Sequence, residues 1–352
     1  MGSHARHARP NRMHRTGARI ATVALVGAVL PITAGGLAQA ATTQAPHSVD
    51  VDETGRQAAP RHGEATAPVG QGQGQGQRQD QGQGAPDVED RTDPVVKADH
   101  AFLLDTRDGS QERELWAGAK ADEAVSMAST TKIMTALVVL RHPESLDRQI
   151  TVKQEYRDYV ARVGASTADL QTGDKLTVRQ LLHAALIPSG ADAARALADN
   201  FGKGGTEEAR IADFVDQMNA EAQQLGLTNT HFDSVDGISN GANHSTARDM
   251  AKLGQRAMLQ PVFADVVKRQ QFKTEAPAAN GRTRYYTWNN TNELLSKYEG
   301  ALGIKTGSGP EAGYSFVFAA KRDNRTLVGA VLGTDKTRFE DATKILDWGF
   351  AH

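Results

Sequence analysis

The chain of 352 residues contains no cysteine. That absence excludes disulfide staples, thiolate nucleophiles and zinc sites built on sulfur. Neither charge dominates: 40 Lys and Arg against 42 Asp and Glu give a formal net charge of −2. A surface so balanced predicts no electrostatic grip on nucleic acid or on an anionic membrane. Metal-ligand spacing of the His-Glu-x-x-His kind is missing, and His183, His231 and His244 read as structural residues. No Gly-rich phosphate loop occurs either, so the reading calls for no metal and no cofactor. With 39% hydrophobic residues the chain can build a core large enough to need no disulfide.

What is present begins with a targeting pattern over residues 1–40. Arg6, Arg9, Arg12, Arg15 and Arg19 precede an apolar run from Ile20 to Leu30, and Ala38-Gln39-Ala40 offers small residues for cleavage. Pro31 and Gly35-Gly36 interrupt the run, which is short for a membrane-spanning helix. The pattern predicts export. The product is either released, secreted or bound in the cell wall, or tethered by an uncleaved segment. Residues 41–95 are poor in large apolar groups and carry a Gly-Gln repeat through Gly84. Such a composition cannot offset its own chain entropy, so it reads as a disordered linker.

From residue 96 to residue 352 the composition is that of one globular domain. Ala101-Phe102-Leu103-Leu104 and Glu114-Leu115-Trp116 flank the turn-like Arg107-Asp108-Gly109-Ser110, a β-hairpin pattern. The stretch from Ser129 to Leu140 reads as a helix, nearly all apolar after Lys132, and a helix apolar all round is a buried one. The middle, from Val178 to Met258, is helix-rich. Tyr314–Ala320 and Leu327–Leu332 read as strands joined at Asp323-Asn324, and a last helix runs from Arg338 to Trp348. Strands at both ends with helices between predict an α/β (α+β) domain: an antiparallel sheet made from both termini, flanked by helices, with a helical lobe inserted.

Three short patterns could carry chemistry. In Ser129-Thr130-Thr131-Lys132 a helix would put hydroxyl and amine on one face, and free N–H groups at its start favour developing negative charge. A lysine desolvated by the apolar helix could take the serine proton. The same residues could equally be a capping serine and a solvated lysine. Pro188-Ser189-Gly190-Ala191-Asp192 sits at a loop-to-helix junction, where Ser189 could pass a proton or merely cap the helix. In Gly303-Ile304-Lys305-Thr306-Gly307-Ser308, Lys305 and Thr306 could hold a carboxylate, and Gly307 would let a substrate backbone approach closely.

Together these patterns follow one another as Ser-x-x-Lys, Ser-Gly-x and Lys-Thr-Gly, and here the chain resembles the serine penicillin-binding and β-lactamase superfamily. More narrowly it is similar to the low-molecular-mass D-alanyl-D-alanine carboxypeptidases. The likeness includes Phe214-Val215-Asp216-Gln217-Met218-Asn219, Thr230-His231-Phe232, His244-Ser245-Thr246-Ala247, Ala312-Gly313-Tyr314 and Asp347-Trp348-Gly349-Phe350. The resemblance implies the penicillin-binding, transpeptidase-like fold and hydrolysis of peptidoglycan stem peptides ending in D-Ala-D-Ala. It implies Ser129 as acylated nucleophile, Lys132 as its base and Ser189 as proton relay to the departing D-alanine. Lys305, Thr306, Gly307 and Ser308 would bind substrate, with the oxyanion between the N–H groups of Ser129 and Ser308. Arg338 would support the carboxylate, and β-lactams would acylate the same serine.

Two departures shape the expectations. The resemblance implies asparagine at the third position of the second motif, where this chain has Ala191. An amide restored there would speed acylation, unless the surroundings have adapted to the small residue. The chain also stops at His352 without the family's C-terminal β-domain and amphipathic helix. A monomeric, single-domain enzyme with no C-terminal membrane anchor is the expectation. A β-lactamase is disfavoured because no Glu is followed four residues later by Asn between the second and third motifs. A wall-binding or penicillin-sensing protein without catalysis is the remaining alternative.

Overall fold

A computed structural model describes residues 92–107 and 111–352. The expected signal segment, most of the linker and the tip of the first hairpin lie outside the described residues. The first strands are β1 (Ala101–Arg107) and β2 (Gln111–Ala117), followed by a 3₁₀ turn at Ala128–Thr131 and helix α1 (Lys132–Leu140). Then come β3 (Gln149–Thr151), α2 (Gln154–Val163), β4 (Lys175–Thr177), α3 (Val178–Leu186), α4 (Ala191–Phe201), α5 (Glu207–Gln224), α6 (Ala247–Met258) and α7 (Pro261–Val267). A second hairpin of β5 (Gln271–Pro277) and β6 (Thr283–Asn289) precedes the short α8 (Leu294–Lys297). The chain returns through β7 (Ala301–Gly309), β8 (Gly313–Arg322) and β9 (Arg325–Thr334) to α9 (Arg338–Ala351).

The main sheet has the order β2-β1-β9-β8-β7, with every neighbouring pair antiparallel. It joins the N-terminal hairpin to the C-terminal strands, as the sequence pattern predicts. Alternation along β8 sends Phe316 and Phe318 to one face, where they meet Ile345 and Leu346 of α9. Val317 and Ala319 face the other way, into the larger core with α1 and α6. Every residue of α1 is buried, so this helix is the axis of that core. Each of its large aliphatic side chains contributes about 1.5–3 kcal/mol by leaving water.

Caps set where the helices begin. Thr177 and Gln180 form a reciprocal capping box at α3, and the hydroxyls of Thr206 and Thr246 accept from the third residue of α5 and α6. The helical lobe therefore starts and stops on local chemistry. β7 is an outer strand of the sheet, at the end opposite β2, and its Gly307 lies against the turn at Ala128–Thr131.

Candidate active site

The cleft begins with an irregularity that helix propensity does not foresee. Instead of a regular helix from Ser129, residues Ala128–Thr131 form a tight 3₁₀ turn, and Ala128 has a left-handed φ of 48°. The hydroxyls of Thr130 and Thr131 donate back to the carbonyls of Met127 and Ala128, at 2.7 and 2.8 Å. Such side-chain bonds to residues three back compete with the regular ladder and tighten the turn. A non-glycine residue held at positive φ stores strain, and strain of this kind collects at functional sites.

The turn puts Lys132 Nζ 2.9 Å from Ser129 Oγ. A second bond, 2.8 Å long, runs from Nζ to the main-chain carbonyl of Asp236. Lys132 is 1% exposed, and burial lowers its pKa to about 8, against the opposing pull of Asp236 and Asp192. A lysine so placed is neutral often enough near neutral pH to accept a proton. Ser129 itself is only half-buried and remains reachable.

Ser189 lies at the junction of α3 and α4, with a left-handed φ of 69°. Gly190, not Ser189, is the N-cap of α4, and no side chain caps that helix. The Ser189 hydroxyl is buried without a hydrogen-bond partner among the described residues. A strained residue with an idle polar group is not explained by capping, which removes that alternative reading.

β7 brings the third group. A Cβ on Gly307 would stand 2.9 Å from the Met127 carbonyl and 3.2 Å from the Ser129 nitrogen, so only glycine lets this strand lie against the serine turn. Lys305 is 1% exposed and donates to the Thr306 carbonyl at 2.8 Å. Burial pushes its pKa well below the usual lysine value, helped by the charges of Lys132 and Arg338. Thr306 Oγ1 is 2.6 Å from Thr291 Oγ1, and Ser308 is exposed at the strand end. Arg338, the first residue of α9, donates to the Gly307 carbonyl at 2.8 Å and stacks on Tyr314 and Phe339. It is a support of β7, not a free surface charge. Burial lowers its pKa.

Sequence reasoning missed the loop between α5 and α6. Asn243 donates to the Thr131 hydroxyl, and Thr135 donates to the Val235 carbonyl at 2.6 Å, so the loop is pinned across the start of α1. Gly237, at φ 90°, packs directly on the Ala128 carbonyl. The dipeptide Asp236-Gly237 is a turn signal that marks this segment in the sequence. His231 and His244 form an isolated β-bridge, and among the described residues no acidic or histidine cluster could hold a metal.

Ala191 answers the question raised by its own sequence position. Its side chain is fully buried at the start of α4, and its N–H donates to the Ser166 carbonyl at 2.8 Å. Lys132 takes its second acceptor from Asp236 instead. The surroundings are thus fitted to a small group, and overpacking costs about 1–3 kcal/mol. Ala191→Asn is therefore expected to lower the melting temperature by a few degrees without speeding acylation by penicillin. A faster stopped-flow acylation rate would show that the missing amide matters more than the packing.

Comparison with known proteins matches residues 87–336 to the D-alanyl-D-alanine carboxypeptidase family. A D-alanyl-D-alanine carboxypeptidase of Streptomyces sp. strain K15 is 47% identical over 74% of this chain and 89% of its own length. The D-alanyl-D-alanine carboxypeptidase DacC of Escherichia coli is 35% identical over 73% of this chain and 62% of its own. Among solved structures, the Streptomyces K15 DD-transpeptidase is 48% identical with a TM-score of 0.72, covering 74% of this chain and all of that one. Penicillin-binding protein D2 of Listeria monocytogenes, in its ampicillin-bound form, gives 26% identity and a TM-score of 0.60. It covers 74% of this chain and 99% of that one.

Proposed function

Since the chain belongs to the D-alanyl-D-alanine carboxypeptidase family, we propose that it is exported, removes the terminal D-alanine from peptidoglycan stem peptides through an acyl-enzyme on Ser129, and is acylated there by β-lactams. The observation that carries this reading is the 2.9 Å contact of Lys132 Nζ with Ser129 Oγ, beside Gly307 of β7. Ser129 Oγ attacks the carbonyl between the last two D-alanines while its proton passes to Lys132. The negative oxygen gathers the N–H groups of Ser129 and Ser308, and such a donor pair is worth several kcal/mol to the transition state. The Ser189 hydroxyl passes a proton to the departing amine, which leaves as D-alanine. Water then attacks the ester and returns Ser129.

Substrate positioning follows from the sheet. The outer edge of β7 can accept an extended peptide as an added strand, its terminal carboxylate near Lys305 and Thr306. Arg338, by holding the Gly307 carbonyl, keeps that edge in place. A bound carboxylate brings the counter-charge that buried Lys305 otherwise lacks.

The organisation of the whole chain is part of the same proposal. Arg6 to Arg19, the apolar run and Ala38-Gln39-Ala40 support an export signal over residues 1–40, cleaved or kept as a tether. Residues 41–95 serve as a spacer, and residues 96–352 act as a monomeric catalytic domain. Removing residues 1–40 leaves 35 basic and 42 acidic residues, a net charge of −7 that does not favour anionic surfaces.

Release of D-alanine from a defined pentapeptide ending in D-Ala-D-Ala tests the function. Labelling by a fluorescent penicillin without D-alanine release would favour a sensing role, and rapid turnover of the penicillin would make the protein a β-lactamase. The rate should also follow the base. Below about pH 8 Lys132 is protonated, and it must be neutral to take the serine proton. Acylation is thus expected to rise about tenfold per pH unit toward neutrality and to level off above about pH 8. A rate flat between about pH 6 and about pH 9 would exclude Lys132 as the base.

A further inference from the structure

Two buried carboxylates act on Lys132, and they are not alike. Asp192 is surrounded by donors: Thr167 Oγ1 at 2.8 Å and the N–H groups of Ala168, Leu170 and Ala193 at 2.9 to 3.0 Å. Four hydrogen bonds spread its charge over the loop before α4. Asp236 is fully buried, and among the described residues its Oδ1 receives the Ile238 N–H at 3.0 Å. Its Oδ2 is buried with no hydrogen bond of that length among the described residues. Among the groups whose electrostatics Asp236 alters is the phenol of Tyr159, on α2. Burial, and then Asp236, raise the pKa of that phenol. The Tyr159 ring is itself held beneath Arg195, 4.6 Å from its centroid, with Arg162 at 5.7 Å.

The backbone around Asp236 is fixed independently of its side chain. Its carbonyl accepts from Lys132, the carbonyl before it accepts from Thr135, and Gly237 abuts Ala128. A carboxylate is expensive to bury so nearly unpaired, unless a cation uses it. We propose that Asp236 is a positioning residue for Lys132 and supplies the counter-charge to the ammonium formed when Lys132 takes the serine proton. This rests on the reading of Lys132 as the base of Ser129.

In the cycle, the O–H bond of Ser129 breaks and an N–H bond forms on Lys132, which becomes cationic in a dry site. Lys305 on β7 opposes that cation, and Asp192 and Asp236 favour it. Asp236 has charge to give because its own hydrogen bonding is incomplete. The Tyr159 phenol, which feels that carboxylate, draws some of that charge to itself. Loss of the carboxylate and loss of the phenol therefore act on Lys132 with opposite signs.

The test is stopped-flow acylation of the full chain by benzylpenicillin from about pH 6 to about pH 10, on the unmodified protein, Asp236→Asn and Tyr159→Phe. For Asp236→Asn the acidic limb is expected to move down by about one pH unit while the upper plateau falls about tenfold. For Tyr159→Phe the limb is expected to move up by roughly half a unit. Limbs that stay where the unmodified protein has them, with any loss of rate uniform across pH, would overturn the proposal. Should Asp236→Asn fail to fold, the upward shift in Tyr159→Phe supports the proposal and an unmoved limb refutes it. An unmodified protein that forms no penicillin adduct would refute the functional reading instead, a result distinct from either.

Discussion

Ser129→Ala is expected to abolish covalent labelling by penicillin and D-alanine release while leaving the fold intact. The loss should be at least about 10⁴-fold, the scale seen when the nucleophile of a covalent mechanism is removed. No neighbour can take over. Thr130 and Thr131 are buried, with their hydroxyls committed to the carbonyls of Met127 and Ala128. The Ser189 hydroxyl has no hydrogen-bond partner among the described residues, but it stands on another element, at the junction of α3 and α4, and has no lysine base bonded to it as Ser129 has. Stability should barely change. Ser129 is half-buried, and its removal leaves Lys132 the Asp236 carbonyl as acceptor. Thermal melting should stay within a few degrees of the unmodified protein. Covalent penicillin retained by this variant, found by mass spectrometry of the intact chain, would sink the assignment of Ser129 as nucleophile.

Much of this arrangement is legible in the chain, and the reasons are local. The stretch from Ile133 to Leu140 reads as a buried helix because Thr135 is its single polar residue, and α1 is buried along its whole length. The hairpin of β8 and β9 reads from two apolar runs separated at Asp323-Asn324, and Asp323 indeed turns at a positive φ of 51°. Less visible are elements whose outward faces are polar. In α2 only Tyr156 is buried, so its apolar period is too sparse to register. The β5–β6 hairpin is largely exposed on alternate residues, and Tyr285 is 77% exposed.

The site divides along a similar line. Ser129, Lys132 and Lys305 stand in patterns whose spacing has a chemical reason. Asp236 and Tyr159 are 77 residues apart, on a loop and on a sparsely buried helix, and no spacing rule joins them. Their meeting depends on how the loop after α5 lies over α1, which is decided by Thr135 and Asn219 bonding to loop atoms and by Asn243 of the loop donating to Thr131. Tertiary hydrogen bonds of this kind leave no periodic trace. The 3₁₀ turn at Ser129 is similar, since it needs Gly237 and Gly307 to press on Ala128 from two sides.

That pressure makes Gly237 a position outside the reacting groups where a small change should cost the reaction heavily. A Cβ built there would stand 2.0 Å from the Ala128 carbonyl oxygen and 2.9 Å from the Ser129 nitrogen, both of them backbone atoms. The residue also has a φ of 90°, which side-chain-bearing residues rarely adopt. Gly237→Ala must therefore either push the loop off the serine turn or drag the turn with it. Backbone strain and displaced packing together cost about 3 kcal/mol. For a domain of this size that corresponds to a melting temperature lower by about 6–10 °C. Rate should suffer more than stability. Moving the Asp236 carbonyl by even about 1 Å removes the second acceptor of Lys132, and misplacement on that scale can cost about 10²-fold in a positioned reaction. Penicillin acylation measured well below the lowered melting temperature is expected to fall about a hundredfold or more, while circular dichroism stays that of the folded protein. An acylation rate within about threefold of the unmodified protein would mean that the loop does not hold the serine turn, and that Lys132 is placed by α1 alone.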